Sequence, residues 1–515
     1  MAKRFGRIKK NNPSKSVNIR EIRFIKHIHF IGICGVGMGA LAVLWKKKGW
    51  KVTGSDVGFY PPISTHLKNH GIEYYAGWHP DKMGQPDLVV VGNVAGSENP
   101  EWQFVRTEKI PYVSYPELIA QNLIKENSIV CAGTYGKTST TALLAWILKN
   151  AKFNPTYMFG GLSLNLDMSA DDPENSQWSI MVGDEYKTSR WDKRAKFFFY
   201  KPTHLLLTAV NWDHADIYKT EEEYLNAFRE LVKMIPQNGL MVACTDNDNV
   251  NGIISYLLSP IGRDMRYEIK DTTKIISYGK NSDADYRYSE VKQTKTDLSF
   301  KIMLRDTCYV INAPIIGDYM AENICGIFAL ACQIGVAPES IIKSLLEFKG
   351  LKRRLEKRGE LNGADVYDDI AHSPLKAKYV LEALRNIYHT TPSPLLHKEG
   401  ATPRLIAIFE PNTGNRQREA VPAYANAFAA ADEVIIPRLT AIKTRVGEPK
   451  SLEGEQLAEI ISKTHTNVKY LGNDEELVNY LKQKTRASDA VVFCGSHGFR
   501  GMIEKIISLR PPLRP

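Results

Sequence analysis

The sequence predicts a three-domain α/β protein, with a Rossmann-like unit at each end of a central P-loop unit built on a mixed sheet. Three observations carry this expectation. A strand-like run at 27–33 feeds the glycine cluster Gly32-Ile33-Cys34-Gly35-Val36-Gly37-Met38-Gly39. A second apolar run at 128–132 feeds Gly133-Thr134-Tyr135-Gly136-Lys137-Thr138-Ser139-Thr140-Thr141. Beyond residue 352, short apolar runs again alternate with helical patterns. A chain of 515 residues also exceeds what one hydrophobic core sustains.

Taken in order, residues 1–24 read as a basic flexible arm, because residues 1–26 hold nine Lys or Arg and one acid, Glu21. The first unit spans 25–127, with strands at 27–33, 51–56 and 88–91 and a helix at 38–48. The second spans 128–351, with strands near 180–182 and 204–210, a helix at 221–234, the apolar stretch 240–243, a meander of short strands over 273–316 and a helix at 321–334. A hinge at 348–354 leads into the third unit, 352–515, with strands at 366–368, 405–409, 433–437 and 490–494. The stretch 389–403, rich in Pro, Thr and Ser, reads as an exposed loop.

Composition narrows the function classes. Hydrophobic content of 43% and charged content of 24% are ordinary for a soluble globular chain, and no run approaches the ~20 apolar residues of a membrane span. Much of the net charge of +10 sits in the basic arm, and no nucleic-acid-binding signature accompanies it, so no nucleic acid is expected as partner. The seven cysteines form no Cys-x-x-Cys pair, which suits reduced thiols in a cytoplasmic protein.

The loop at 133–139 carries the strongest chemical signal. Backbone N–H groups at a glycine loop and helix start form a nest for phosphate anions, Lys137 reaches β/γ-phosphates, and the hydroxyl of Thr138 or Ser139 suits magnesium. Cys131 stands where the usual pattern has its first glycine, and Gly133 lies only three residues before Gly136. In the first unit, the glycines permit a tight turn and close approach to a pyrophosphate, with Asp56 spaced as a ribose-binding acid. That spacing leaves NAD and a UDP-sugar equally open, and a packing turn is the plainer alternative.

Asp184 and Glu185 follow a strand and suit magnesium, or else a solvated helix start. His214, in Asn211-Trp212-Asp213-His214, follows another strand, where open α/β sheets bind ligands, and is a candidate metal ligand. Arg354 at the hinge suits charge developing on a γ-phosphate, against the bland reading of a solvated basic face. Asp369 and His372, after the strand at 366–368, suit nucleotide ribose; helix capping is the bland role for Asp369.

Together these segments resemble the Mur ligases, the ATP-dependent amide-forming enzymes of bacterial wall synthesis. The family loop Gly-Thr-x-Gly-Lys-Thr matches Gly133–Thr138, short glycine spacing included. Tyr60-Pro61-Pro62-Ile63-Ser64-Thr65, Gly160-Gly161-Leu162-Ser163-Leu164-Asn165, Trp191–Phe197, Phe409-Glu410-Pro411 and Gly495-Ser496-His497-Gly498-Phe499 add to the likeness. The resemblance implies that a UDP-N-acetylmuramate lactyl carboxylate attacks ATP to give an acyl phosphate, which an incoming amine then displaces. The peptide L-alanyl-γ-D-glutamyl-meso-diaminopimelate is the implied acceptor, with L-alanine the alternative.

It further implies a UDP-sugar site at Gly35, Val36, Gly37, Met38 and Gly39 with Ser55 and Asp56. The implied ATP site comprises Gly133, Thr134, Tyr135, Gly136, Lys137, Thr138, Ser139, Asn323, Arg354, Asp369 and His372. Magnesium falls to Thr138, Asp184, Glu185 and His214, and catalytic roles to Lys137, His214 and Arg354. The chain departs from the family at Val182-Gly183, where a glutamate is common. It departs again in Gly317-Asp318-Tyr319-Met320-Ala321-Glu322-Asn323, where Tyr319 and Met320 replace His and Asn. Ser373 replaces a histidine, and Asn412–Arg418 differs beyond Glu410. A folylpolyglutamate synthetase-like ligase shares the short loop but lacks a glycine-rich first unit. A Mur-like nucleotide-binding protein without turnover is the remaining alternative.

Overall fold

The computed structural model describes residues 26–59, 63–259, 273–390, 403–441 and 451–507. The expected basic arm (1–24), the segment Tyr60-Pro61-Pro62 and positions 391–402 of the expected loop lie outside the described residues.

Three sheets are built in succession. The first contains β1 (His27–Ile31), β2 (Lys51–Asp56), β3 (Glu73–Ala76), β4 (Leu88–Val91) and β5 (Tyr112–Ser114), all parallel, in the order β3-β2-β1-β4-β5. β1 and β4 are buried throughout, as expected for strands covered on both faces.

The second holds ten strands: β6 (Asn127–Ala132), β7 (Thr156–Met158), β8 (Ala170–Asp171), β9 (Trp178–Gly183), β10 (His204–Leu207), β11 (Leu240–Cys244), β12 (Lys274–Gly279), β13 (Tyr286–Gln293), β14 (Leu298–Leu304) and β15 (Thr307–Ala313). Their order is β15-β14-β13-β12-β11-β10-β6-β9-β7-β8. The expected meander over 273–316 is only partly realised. β12 pairs in parallel with both β11 and β13, and only β13-β14-β15 run antiparallel. The reason is packing: Tyr278 on β12 is fully buried against Gly326 of the helix Met320–Gln333, which holds β12 as a continuation of the parallel core.

The third sheet contains β16 (Glu356–Leu361), β17 (Ala364–Asp369), β18 (Leu405–Glu410), β19 (Glu433–Pro437), β20 (Val468–Leu471) and β21 (Ala490–Gly495), ordered β16-β17-β21-β18-β19-β20. β16 is an antiparallel edge strand just past the predicted hinge. Its sequence, Glu-Lys-Arg-Gly-Glu-Leu, shows no apolar alternation because most of its side chains remain partly solvated.

The helix Lys137–Asn150 sits against the central sheet through Leu143, Leu144, Ile147 and Leu148, all inaccessible to solvent. Each such leucine contributes about 1.5–3 kcal/mol by burial, so the phosphate loop rests on a rigid support. All seven cysteines are free. Among the described residues, no helix is long and apolar enough to cross a membrane.

Candidate active site

Strand register explains why distant loops meet. Ala132 at the end of β6 lies beside Gly183 of β9 and Leu207 of β10. The loops carrying Gly133–Gly136, Asp184-Glu185 and Asn211–His214 therefore leave one edge of the sheet together, where α/β proteins bind ligands. In the third sheet Asp369 pairs with Cys494 in the same way, and Glu410 with Gly495. The three carboxyl edges open onto a shared cavity of about 590 Å³.

Gly133 and Gly136 shape the phosphate loop, with φ of +136° and +80°. A Cβ at Gly133 would overlap the Thr208 hydroxyl, and one at Gly136 would overlap Asn323 Oδ1. Thr134 Oγ1 donates to Asn211 O at 2.7 Å and accepts from Asn211 N at 2.8 Å, while Thr208 donates to Tyr135 O at 2.8 Å. These bonds tie the loop to the end of β10. The amides opening the helix Lys137–Asn150 are thus presented by a braced turn.

Lys137 Nζ lies 2.7 Å from Glu185 Oε2 and 3.2 Å from Thr134 O. Glu185 is fully buried, and His214 Nε2 stands 3.4 Å from its other oxygen. Burial works against the Glu185 charge, but Lys137 and His214 outweigh it and hold the carboxyl below its usual range. For His214, burial disfavours the proton, yet Asp213 and Glu185 raise its pKa. Asp184 pairs with Lys196 Nζ at 2.5 Å and lines the same cavity as Glu185 and His214; against burial, Lys196 with Lys137 and His214 holds its carboxyl below the usual range.

From the third unit, Arg354, Asp369 and His372 line the cavity. Asp369 accepts the amides of Leu355 and Ala371, each at 2.7 Å, so it braces the turn as well as facing the cavity. Burial and Lys376 pull the His372 pKa down to about 3, so the ring is neutral near pH 7. With Nδ1 bonded to Ile370 O at 2.7 Å, its Nε2 remains an acceptor. Arg353 has a different job: its guanidinium is spent on Asp368 and the carbonyls of Gly495, Ser496 and His497.

On the first-unit side, Gly35, Val36, Gly37 and Met38 line the cavity. A Cβ at Gly37 would lie 2.8 Å from the Tyr115 hydroxyl, so that glycine is needed for close packing. Gly39 lies behind the turn, its amide bonded to Gly35 O at 2.8 Å. Ser55 and Asp56 do not line the cavity. Ser55 donates to buried Glu101, and the Asp56 carboxylate accepts the amides of Cys34 at 2.9 Å and Val57 at 2.7 Å. Asp56 thus fastens the glycine turn from behind.

Three domain families match this chain in order: "Mur ligase family, catalytic domain" over 27–126, "Mur ligase middle domain" over 131–331 and "Mur ligase, glutamate ligase domain" over 353–497. The chain belongs to the Mur ligase family. It is similar to the UDP-N-acetylmuramate–L-alanyl-γ-D-glutamyl-meso-2,6-diaminoheptandioate ligase of Escherichia coli K12, at 30% identity, covering 93% of this chain and 97% of that protein. It is also similar to a UDP-N-acetylmuramate–L-alanine ligase of Allorhizobium ampelinum, at 28% identity over 91% and 93% of the two chains. Among solved structures, a murein peptide ligase of Psychrobacter arcticus superposes with a TM-score of 0.69 at 27% identity, covering 93% of this chain and 98% of that one.

Several residues of this Mur ligase's cavity went unnoticed in its sequence. Lys376 pairs with buried Asp213 at 2.9 Å and joins the third unit to the second. Tyr379, one turn further along the same helix, meets Tyr135 with ring centroids 5.1 Å apart. Asn93, just past β4, donates to Lys187 O at 2.8 Å and joins the first unit to the second. Asn93 was within reach of the rule that ligands gather at strand ends; the lysine contact, spanning 163 residues, needed the domain arrangement.

Proposed function

We propose that this Mur ligase uses ATP to join the lactyl carboxylate of UDP-N-acetylmuramate to the amine of L-alanyl-γ-D-glutamyl-meso-diaminopimelate, releasing ADP and phosphate. One observation carries the reading. The glycine turn Gly35–Met38 and the phosphate loop Thr134–Ser139 line the same cavity, so a UDP-sugar and ATP can react across it. The acceptor assignment follows the E. coli relative.

In the first step a carboxylate oxygen bonds to the γ-phosphorus as its bond to the β–γ bridging oxygen breaks and ADP leaves. In the second the amine attacks the acyl carbon and the phosphate departs with the oxygen taken from the carboxylate. The protein's part is to position reactants and offset charge. Loop amides and Lys137 hold the β/γ-phosphates, Arg354 faces the transferring group, and neutral His372 accepts from ribose.

The oxygens of Thr138, Asp184 and Glu185 would suit a hard divalent cation such as magnesium, and His214 would join them through a neutral imidazole nitrogen. Such an ion supplies charge neutralisation on the phosphate oxygens. Lys137 holds Glu185 ready for it.

The test is ADP release from ATP and UDP-N-acetylmuramate with the tripeptide, L-alanine or no amine. Stimulation by the tripeptide over L-alanine supports the reading, and the reverse preference transfers it to the L-alanine ligase activity of the second relative. ATP binding without stimulation by any amine rejects the ligase assignment.

A further inference from the structure

The chain's departure from its family at Tyr319 and Met320 leaves open what contacts the nucleotide base. Resting on the ATP site proposed above, the geometry points to Glu322 as the residue that reads the Watson–Crick edge of adenine. Three observations support it. Asn323 packs directly on Gly136, so the first turn of the helix Met320–Gln333 abuts the phosphate loop, and Glu322 precedes that contact by one residue. With phosphates on the loop and the first-unit side given to the UDP-sugar, the cavity wall carrying Tyr135, Tyr319, Glu322, Tyr379 and Val380 is left for the base; there the Tyr135 and Tyr379 rings lie 5.1 Å apart and Tyr135 neighbours Glu322. That wall offers aromatic faces for a planar ring. Of the cavity's acids among the described residues, Asp184 and Glu185 pair with Lys196 and Lys137 and Asp369 accepts two backbone amides, which leaves Glu322 for the base.

The protonation state of Glu322 then decides which base fits. A neutral carboxylic acid has one O–H donor and a carbonyl acceptor, matching adenine N1 and the N6 amino group. An ionised carboxylate only accepts, which matches guanine N1–H and N2 amino and opposes adenine N1. Burial is the main cause that pushes the Glu322 pKa up, to about 7, followed by Asp246. The polar atoms of Cys244, Asp246 and Glu322 lie within 4.8 Å of one another. Lys280, beyond β12, lowers the value, and the Cys244 thiol hydrogen-bonds the carboxyl. Tyr135 from the loop, Tyr278 from β12, Tyr288 from β13 and Cys325 from the same helix also interact with it. Their own pKa values lie above the carboxyl's, so they stay neutral while it titrates.

The experiment is calorimetric binding of ATP and GTP, each with magnesium, and of inorganic tripolyphosphate to the full chain between about pH 6 and pH 8.5. Measuring the ATP-to-GTP ratio cancels the ionisation of the phosphates themselves. If only the neutral acid binds adenine, apparent ATP affinity falls by up to roughly 30-fold across that range, in proportion to the competent fraction. GTP affinity should hold or rise. Glu322→Gln, whose amide donates to N1 and accepts from N6, should keep ATP binding and lose the pH dependence. Glu322→Leu should weaken ATP about tenfold and leave tripolyphosphate binding intact. A preference for ATP that is constant with pH in the unaltered protein, or the same slope in Glu322→Gln, overturns the inference alone. Failure of both ATP and tripolyphosphate to bind overturns the ATP site as well.

Discussion

Replacing Lys137 with methionine separates the structural and chemical roles of the phosphate loop. Lys137 Nζ is 2.7 Å from Glu185, whose side chain has no solvent exposure. Removing one member of a buried pair costs about 3–5 kcal/mol, because the other is left as an uncompensated charge. His214, 3.4 Å from Glu185, remains and moves the expected loss to the lower end, about 3 kcal/mol. For a unit of this size, about 2–4 °C per kcal/mol gives a fall of about 6–12 °C in the transition of the central domain.

The pH dependence follows by linkage. In the unaltered protein the depressed Glu185 pKa contributes stability above the unfolded carboxyl's pKa, and this is lost as pH falls through the folded value. In Lys137→Met the folded pKa of Glu185 climbs, so the deficit is full at neutral pH and shrinks in acid. Adding Glu185→Gln to Lys137→Met removes the stranded charge and should recover most of the lost melting temperature. It should not recover turnover, which falls by about 10²–10³ or more without the lysine. Calorimetric melts and ADP release on the parent, the single and the double variant make the test. A single variant that melts like the parent, or a double variant less stable than the single one, would show that Lys137 does not compensate the buried Glu185 charge.

Three further outcomes are expected. Gly136→Ala forces a side chain into the left-handed region at φ +80° and against Asn323. It should cost about 1–2 kcal/mol and weaken ATP binding by calorimetry, and native affinity would contradict the loop geometry. Lys376→Met breaks the 2.9 Å bridge to Asp213 between the second and third units. Small-angle scattering should then show a larger radius of gyration with nucleotide bound, whereas an unchanged radius means the bridge does not hold the units together. Arg500 and Arg438 hold the Asp474 carboxyl down, to about 2, against burial. That stability is present above the usual aspartate pKa and lost as pH falls through about 2, so Asp474→Asn should flatten acid unfolding of the third unit followed by circular dichroism.

The phosphate loop was readable because glycine, lysine and hydroxyl residues at a helix start have few other uses, and the alternation of elements announced parallel sheets. Asp56 was harder. An acid at the end of a second strand looks the same in sequence whether it meets a ribose or fastens the turn at Cys34 and Val57. β16 escaped notice because an edge strand is held by its ladder with β17 and not by an apolar face. Lys376 and Tyr379 enter the site through partners in another unit, so local sequence carried no sign of them.

In the proposed reaction the cavity unites the UDP-sugar's carboxylate with ATP. UDP-N-acetylmuramate labelled with ¹⁸O in its lactyl carboxylate tests this most directly, with the released phosphate weighed after turnover with the tripeptide. Transfer of one ¹⁸O into each phosphate is the predicted result. Unlabelled phosphate would show that no acyl phosphate forms and would contradict the claim.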